Sequence, residues 1–274
     1  MKLSVQRWIG TLLAGLLGAC GYAGMAESGK HMDAKQFFEP QMVAVLTAIS
    51  KGDETKAKAL LASGVNLNVI GEHEITPLFW FIARQNKEGM QLALKLGADP
   101  NFKSGKGNTP VAYVAGWKDI EWLRLLLQAG GDPNSMNHLK QPALFGAIGE
   151  ANFDAIDTLL EFGADPNVTD GPKRNAALYA AFINDWELVY LMLERGSDYR
   201  QYSSVGADIA AIVNDVEVDK LYDPNRDNYQ WLLKVKQYLL EKGVAFPPPS
   251  PAEVRTRWAK EGKPGYKIEV KLDD

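Results

Sequence analysis

Gly97-Ala98-Asp99-Pro100-Asn101 is the stretch whose reading decides the fold. It returns as Gly130-Gly131-Asp132-Pro133-Asn134 and as Gly163-Ala164-Asp165-Pro166-Asn167, with looser copies from Gly64 to Asn68 and from Gly196 to Arg200. The glycines at 64, 97, 130, 163 and 196 step by 33 residues. Leu61, Leu94, Leu127, Leu160 and Leu193 each stand three residues before their glycine, and an apolar residue precedes each of them. A fixed period of this size marks stacked supersecondary units, none of which buries its apolar face alone.

A second motif runs in phase with the first. Thr76-Pro77-Leu78-Phe79 and Thr109-Pro110-Val111-Ala112 each read as a helix start, with Gln141-Pro142-Ala143-Leu144 and Asn175-Ala176-Ala177-Leu178 as weaker copies. A threonine hydroxyl accepts an orphan N–H of the first turn. Proline at the first helical position loses no hydrogen bond. The glycine ends the second helix in a left-handed conformation. On these residues the chain resembles ankyrin-repeat proteins over roughly residues 36–246.

The resemblance implies an all-α ankyrin-repeat solenoid of about six helix-turn-helix units with protruding loops. The first helix of the first unit falls at Val43 to Ile49, with Phe37 and Phe38 covering the end of the stack. Counted from Gln141, the fourth unit has a loop shorter by one residue and a helical region longer by one. The sixth starts at Asp208 and carries a polar insertion, Asn214 to Asp227, before a final helix from Tyr229 to Lys242. Residues 247–274 read as a Pro-rich break, a short helix from Ala252 to Glu261, and a strand-like alternation from Tyr266 to Leu272. This tail either folds back on the array or pairs with a partner's sheet edge.

The first 19 residues read as a lipoprotein signal peptide: Lys2 and Arg7, an apolar run from Trp8 to Leu17, then Leu17-Gly18-Ala19-Cys20. The run is too short to span a bilayer. The last four residues resemble a bacterial lipobox, which makes Cys20, the one cysteine, the lipidated residue. The alternative is a plain signal peptide cut after Ala26. Residues 20–35 are then a flexible tether, and the protein is anchored by lipid in the bacterial envelope, facing the periplasm. Gly21 in place of aspartate points to the outer membrane.

The net charge of −4 gives no reason to expect nucleic-acid binding. No cofactor, metal or catalytic set is read. His73 and His138 fall in successive loops as solvated residues, and Asp99, Asp132 and Asp165 recur as loop-backbone acceptors. In ankyrin proteins partners meet the loop tips and the hollow side of the first helices. Carried over by phase, that implies Arg84, Trp117, Ile148, Phe182 and Ile183 on the hollow side. At the tips it implies Phe102, Lys106, His138, Lys140, Lys173 and Arg174. Large apolar side chains on such a face mark an interaction site, unless they pack on one another or under the loops. The basic tips fit an acidic partner. A further column, Trp80, Tyr113, Phe145 and Tyr179, is read as packing rather than as a sugar platform.

The expected partner is another protein. A lipid-anchored ankyrin array resembles the immunity lipoproteins that neutralise secreted phospholipase effectors of type VI secretion systems. An envelope scaffold or chaperone supporting another periplasmic enzyme is the alternative. A hydrolase hidden in the insertion and tail is the third reading, one that mutating Asp223, Asp227 and His138 without loss of activity would remove.

Overall fold

The computed structural model describes residues 32–263. The signal peptide, Cys20, His31, most of the tether and the Tyr266–Leu272 alternation lie outside the described residues. Among the described residues there are thirteen α-helices and no strand. They form six pairs: α1 (Pro40–Ser50) with α2 (Glu54–Ala62), α3 (Pro77–Ala83) with α4 (Lys87–Lys95), and α5 (Pro110–Val114) with α6 (Glu121–Gln128). Then come α7 (Ala143–Gly149) with α8 (Phe153–Glu161), α9 (Ala176–Phe182) with α10 (Trp186–Glu194), and α11 (Ile209–Val218) with α12 (Asp227–Glu241). A last helix, α13, covers Pro251–Lys260. The fold class is the expected ankyrin-repeat solenoid. The chain divides into two compact bodies, one running to Pro110 and including Gln128–Gly131, the other holding Val111–Leu127 and everything from Asp132 onward.

The helix starts are dictated locally. Thr76 accepts from the Phe79 amide at 3.2 Å, Asn175 from Leu178 at 3.0 Å and Asp208 from Ala211 at 2.8 Å. The second helices carry their own caps at Asp53, Asn86, Asn152 and Asp185, each accepting from the amide three residues on. With Asp119, these make a second 33-residue column. The period glycines all have positive φ, between 90° and 101°, where a Cβ is strained. Four residues before the period glycine, Ala93, Leu126, Leu159 and Met192 are fully sealed; the leucines one place later are buried or half-buried.

The recurrent Asp and Asn have distinct roles. Asp99, Asp132 and Asp165 each accept from the amide two residues on at 2.8 Å, shaping their own turn. The Asn instead reaches the next repeat. In the N-terminal body Asn68 donates to the Gly97 carbonyl and accepts from the Asp99 amide. In the C-terminal body Asn134 does the same to Gly163 and Asp165, and Asn167 to Gly196 and Asp198. Each side chain thus satisfies one carbonyl and one amide of its neighbour.

The fourth repeat corrects the expected register. Pro142, not Gln141, is the N-cap of α7. Gln141 closes the preceding finger, accepting from the Asn137 amide and donating its own amide to the Asn137 side chain. The same closure joins 104 to 108, 170 to 174 and 203 to 207. First-helix caps therefore fall at 76, 109, 142, 175 and 208, and no repeat is shortened or lengthened. The sixth repeat differs in another way: the segment read as a polar insertion continues α11 to Val218, and only Asp219 to Arg226 is loop.

Phe38 is buried and Phe37 half-buried, with the Phe37 carbonyl accepting from Glu72 at 2.8 Å, so this pair does close the first repeat. At the other end α13 folds back on the sixth finger. Its start is fixed by a capping box between Ser250 and Glu253. Val254 is buried, Arg255 Nη1 donates to the Val205 carbonyl at 2.6 Å, and Trp258 meets Tyr202 edge-on at 5.8 Å.

Two substitutions probe this packing. A Cβ on Gly116 lies 2.9 Å from the Gly146 carbonyl oxygen and 3.0 Å from Glu150 Cγ. Gly116→Ala forces the neighbouring backbone to move and is expected to cost about 1–3 kcal/mol in chemical denaturation. Thr158 is buried in α8 with no partner for its hydroxyl, at a position where neighbouring repeats place Leu125 and Leu191. Thr158→Val keeps the shape, drops the unpaired group, and is expected to add about 1 kcal/mol.

Candidate functional site: the first-helix face and finger tips

In the C-terminal body the 33-residue step sets two adjacent columns at the ends of the first helices. One holds Trp117, Glu150, Ile183 and Val216; the other holds Gly116, Gly149, Phe182 and Asp215. Ile148 belongs to neither. It is 1% exposed, in the inward position that Ala115 and Ala181 occupy in their repeats, and is unavailable to a partner. A helix start at Gln141 would set Ile148 and Gly149 on the surface; with the start at Pro142 the pair is Gly149 and Glu150, both exposed. Phe145 moves with it into the core, while Tyr179 stacks on its ring at 4.3 Å. Trp80 is buried too, so the aromatic residues named as one column are packing residues, with Tyr113 and Tyr179 half-buried.

Trp117 is half-buried, held edge-on between Tyr113 and Trp122, each ring 5.7 Å away. Its carbonyl accepts from Asn152 Nδ2 at 2.8 Å. Phe182 and Ile183 are also partly open to solvent. Beside Trp117 a shallow groove is lined by Lys118, Glu150, Asn152, Phe153 and Asp154, and Phe153 is 42% exposed.

Arg174 is not the free cation the sequence reading expected. Its Nε and Nη2 both donate to the buried Asp170 carboxylate, at 2.9 and 2.6 Å. Its guanidinium lies 5.1 Å from the Tyr179 ring centre and 5.3 Å from that of Phe182. The group is a strut that fixes finger to helix: Asp170 Oδ2 accepts both guanidinium bonds, Oδ1 accepts the Arg174 backbone amide at 2.8 Å, and this charge-assisted pairing absorbs the charge. Burial pushes the Tyr179 hydroxyl up from its ordinary value.

His138, Lys140 and Lys173 are exposed at the finger tips, as expected. Lys140 and Lys173 occupy the same left-handed turn position, with φ of 60° and 66°. Leu139, 57% exposed between His138 and Lys140, was not singled out in the sequence and adds an apolar tip. The same columns carry acids, Glu150 and Asp215, both exposed, with exposed Asp219 one turn beyond Asp215. Burial, then the neighbouring Asp219, push Asp215 up from the usual carboxylate range.

The N-terminal body holds the remaining named residues. Arg84 stacks on Trp80 at 4.7 Å and donates from Nη1 to the Met32 carbonyl at 2.9 Å, so the entering chain already occupies it. Phe102 is half-buried and Lys106 exposed. His73 is exposed, but its ring also meets Phe37 edge-on at 5.8 Å. Among the described residues no group of three or more His, Cys, Asp or Glu is placed to hold a metal, and no helix is long and apolar enough to cross a membrane.

Residues 42–137 match the ankyrin-repeat family in a three-copy form, and residues 143–193 match it in a many-copy form. Together the matches span more than half the chain, which belongs to the ankyrin-repeat family. It is similar to the ankyrin-repeat domain of Bcl-3, described as a unique member of the IkappaB protein family. That likeness has 19% identity and a TM-score of 0.60 over 77% of this chain and 92% of that one. It is also similar to EF0377, an ankyrin repeat protein, at 22% identity and a TM-score of 0.54 over 65% of this chain and 94% of that one. Both are likenesses of fold. Comparison with curated protein sequences gave no match. Ankyrin repeats are a protein–protein interaction module, and no catalytic family is matched.

One buried acid in the C-terminal body has a testable pH signature. Burial pushes Asp208 up from the usual carboxylate range, although the Ala211 amide and the Tyr202 hydroxyl pull it down. The folded state therefore holds this proton more tightly than the unfolded chain. Its contribution to stability is full below the unfolded pKa and is lost as pH rises through the folded one. Asn caps a helix as well as Asp does. Asp208→Asn is expected to raise the melting temperature at pH 7, with the gain disappearing as pH falls below the ordinary carboxylate range.

Proposed function

We propose that this chain is a protein-binding lipoprotein of the bacterial envelope, anchored through Cys20 and facing the periplasm, that binds and neutralises a secreted lipase effector. The observation that carries the binding reading is the partly open apolar pair Phe182 and Ile183 on the first-helix face of the C-terminal body, with the half-buried Trp117 two repeats away on the same columns, beyond Gly149 and Glu150. Aromatic and large aliphatic anchors of this kind dominate interface energetics. The anchor rests on the lipobox-like Leu17-Gly18-Ala19-Cys20. Immunity is the reading that joins an anchored recognition scaffold to a membrane-directed toxin: the partner is held where it acts, and its site or its approach to lipid is blocked. Lys140 and Lys173 at the tips favour acidic groups on the partner's edge.

Two experiments test it. Co-purification with a secreted lipase encoded beside the chain's own gene should give a stable complex; a constant set of housekeeping partners instead supports the scaffold role. Metabolic labelling with palmitate should mark the wild-type chain and not Cys20→Ser; equal labelling of both removes the anchor.

A further inference from the structure

Among the described residues helix α12 leaves one face uncovered, and the repeat itself shows what that face is built to do. Gly243 ends α12 as Gly196 ends α10, each with positive φ. Matching the two glycines aligns Leu233, Gln237 and Leu240 with Trp186, Tyr190 and Leu193. In α10 these positions turn toward α12: Tyr190 lies 5.6 Å from the Trp231 ring and 6.4 Å from that of Tyr238, and Trp186 and Leu193 are 1% and 3% exposed. In α12 the inward turn is taken by Asn228, Trp231, Val235 and Tyr238. Leu233 and Leu240 stand 37% and 45% exposed on the opposite side. Nearby, Tyr222 stacks on Tyr229 at 4.0 Å, one helical turn before Leu233, and Leu221 is 55% exposed.

The exposed face is self-complementary. Leu233 and Leu240 stand on either side of Gln237, and so do Lys234, whose ammonium lies 3.6 Å from the Trp231 ring centre, and Glu241, which accepts from Gln237 Nε2 at 2.9 Å and keeps a second carboxylate oxygen. We propose that a second copy of this chain covers it, with α12 lying antiparallel on its symmetry mate and the two-fold axis passing beside Gln237. Leu233 then meets Leu240 of the other copy, and Lys234 faces Glu241, each pair formed twice, as an isologous contact requires. The inference is independent of the effector reading: this face belongs to the end of the sixth repeat, not to the columns that carry Trp117 and Phe182. A single-helix contact is small, so the association is transient.

The test uses the full chain with Cys20→Ser, which leaves any introduced cysteine alone. Gln237→Cys should form a disulfide-linked dimer under mild oxidation at least tenfold faster than the control Gln91→Cys. Sedimentation velocity at about 100 µM, a concentration suited to a weak contact, should show dimer that Leu240→Lys weakens at least tenfold with unchanged circular dichroism. Equal cross-linking at 237 and 91 overturns the proposal. So does a dimer seen only after residues 264–274 are removed, because the chain's own tail then holds the face.

Discussion

Trp186→Ala is expected to destabilise the C-terminal body by about 3–5 kcal/mol. The side chain is among the largest fully buried ones, at 1% exposure. Its Nε1 donates to Asn184 Oδ1 at 2.8 Å, and its backbone amide donates to Asn228 Oδ1 at 3.0 Å. The ring is thus tied to Asn184 in the loop before α10, while the residue's backbone amide, which truncation keeps, holds Asn228 in the first turn of α12. Truncation opens a cavity too large to be closed by small shifts in a densely packed array. It also leaves the Asn184 side chain without its donor. In a repeat array stability passes from neighbour to neighbour, so the loss should surface first in the last two repeats. Thermal melting should shift down by roughly 10 °C or more, and amides of α10 and α12 should lose exchange protection before those of α1 to α4. A shift of only a degree or two would mean that the ring does not anchor the junction.

The second large effect concerns binding. The double variant Phe182→Asp, Ile183→Asp is expected to weaken partner binding by at least about 30-fold, the effect of losing a single hot spot of about 2 kcal/mol. Both side chains are partly exposed at the end of α9, so the fold loses the contact of Arg174 with the Phe182 ring and little else, the Arg174–Asp170 pair being kept. The charge change is severe for an apolar contact because each new carboxylate must be desolvated when the partner docks. It also adds negative charge to columns that already carry Glu150 and Asp215. Ile148→Val supplies the opposite control: Ile148 is sealed inside, so it should change stability slightly and binding not at all.

Much of this was legible in the residues. The glycine step fixed the period, and Thr76, Asn175 and Asp208 announced their helices by cap chemistry. The column of second-helix caps from Asp53 to Asp185 was equally available, since it needs only the same count of 33. The fourth repeat misled because Gln141-Pro142 imitates Thr109-Pro110 one place out of phase. The Pro pattern suited a helix start at Gln141, whereas the finger closure from Asn137 to Gln141 had the stronger hold, with two backbone-directed bonds. Counting 33 from Thr109 reaches Pro142 and would have exchanged Ile148 for Glu150. The pairing of Arg174 with Asp170 was not legible, because it depends on how tightly the finger turns. The bare face of α12 was hidden for a related reason: an exposed leucine in a final repeat has the same letters as a buried one in the repeat before.

The proposed immunity role requires the first-helix face of the C-terminal body to meet a toxin outside the cytoplasm. The most direct measurement is growth of cells that send the neighbouring lipase effector into the periplasm, with the wild-type chain, with none, and with Phe182→Asp, Ile183→Asp. Growth with the wild-type chain alone is the predicted result. Full growth without the chain, or full protection by the double variant, would contradict it.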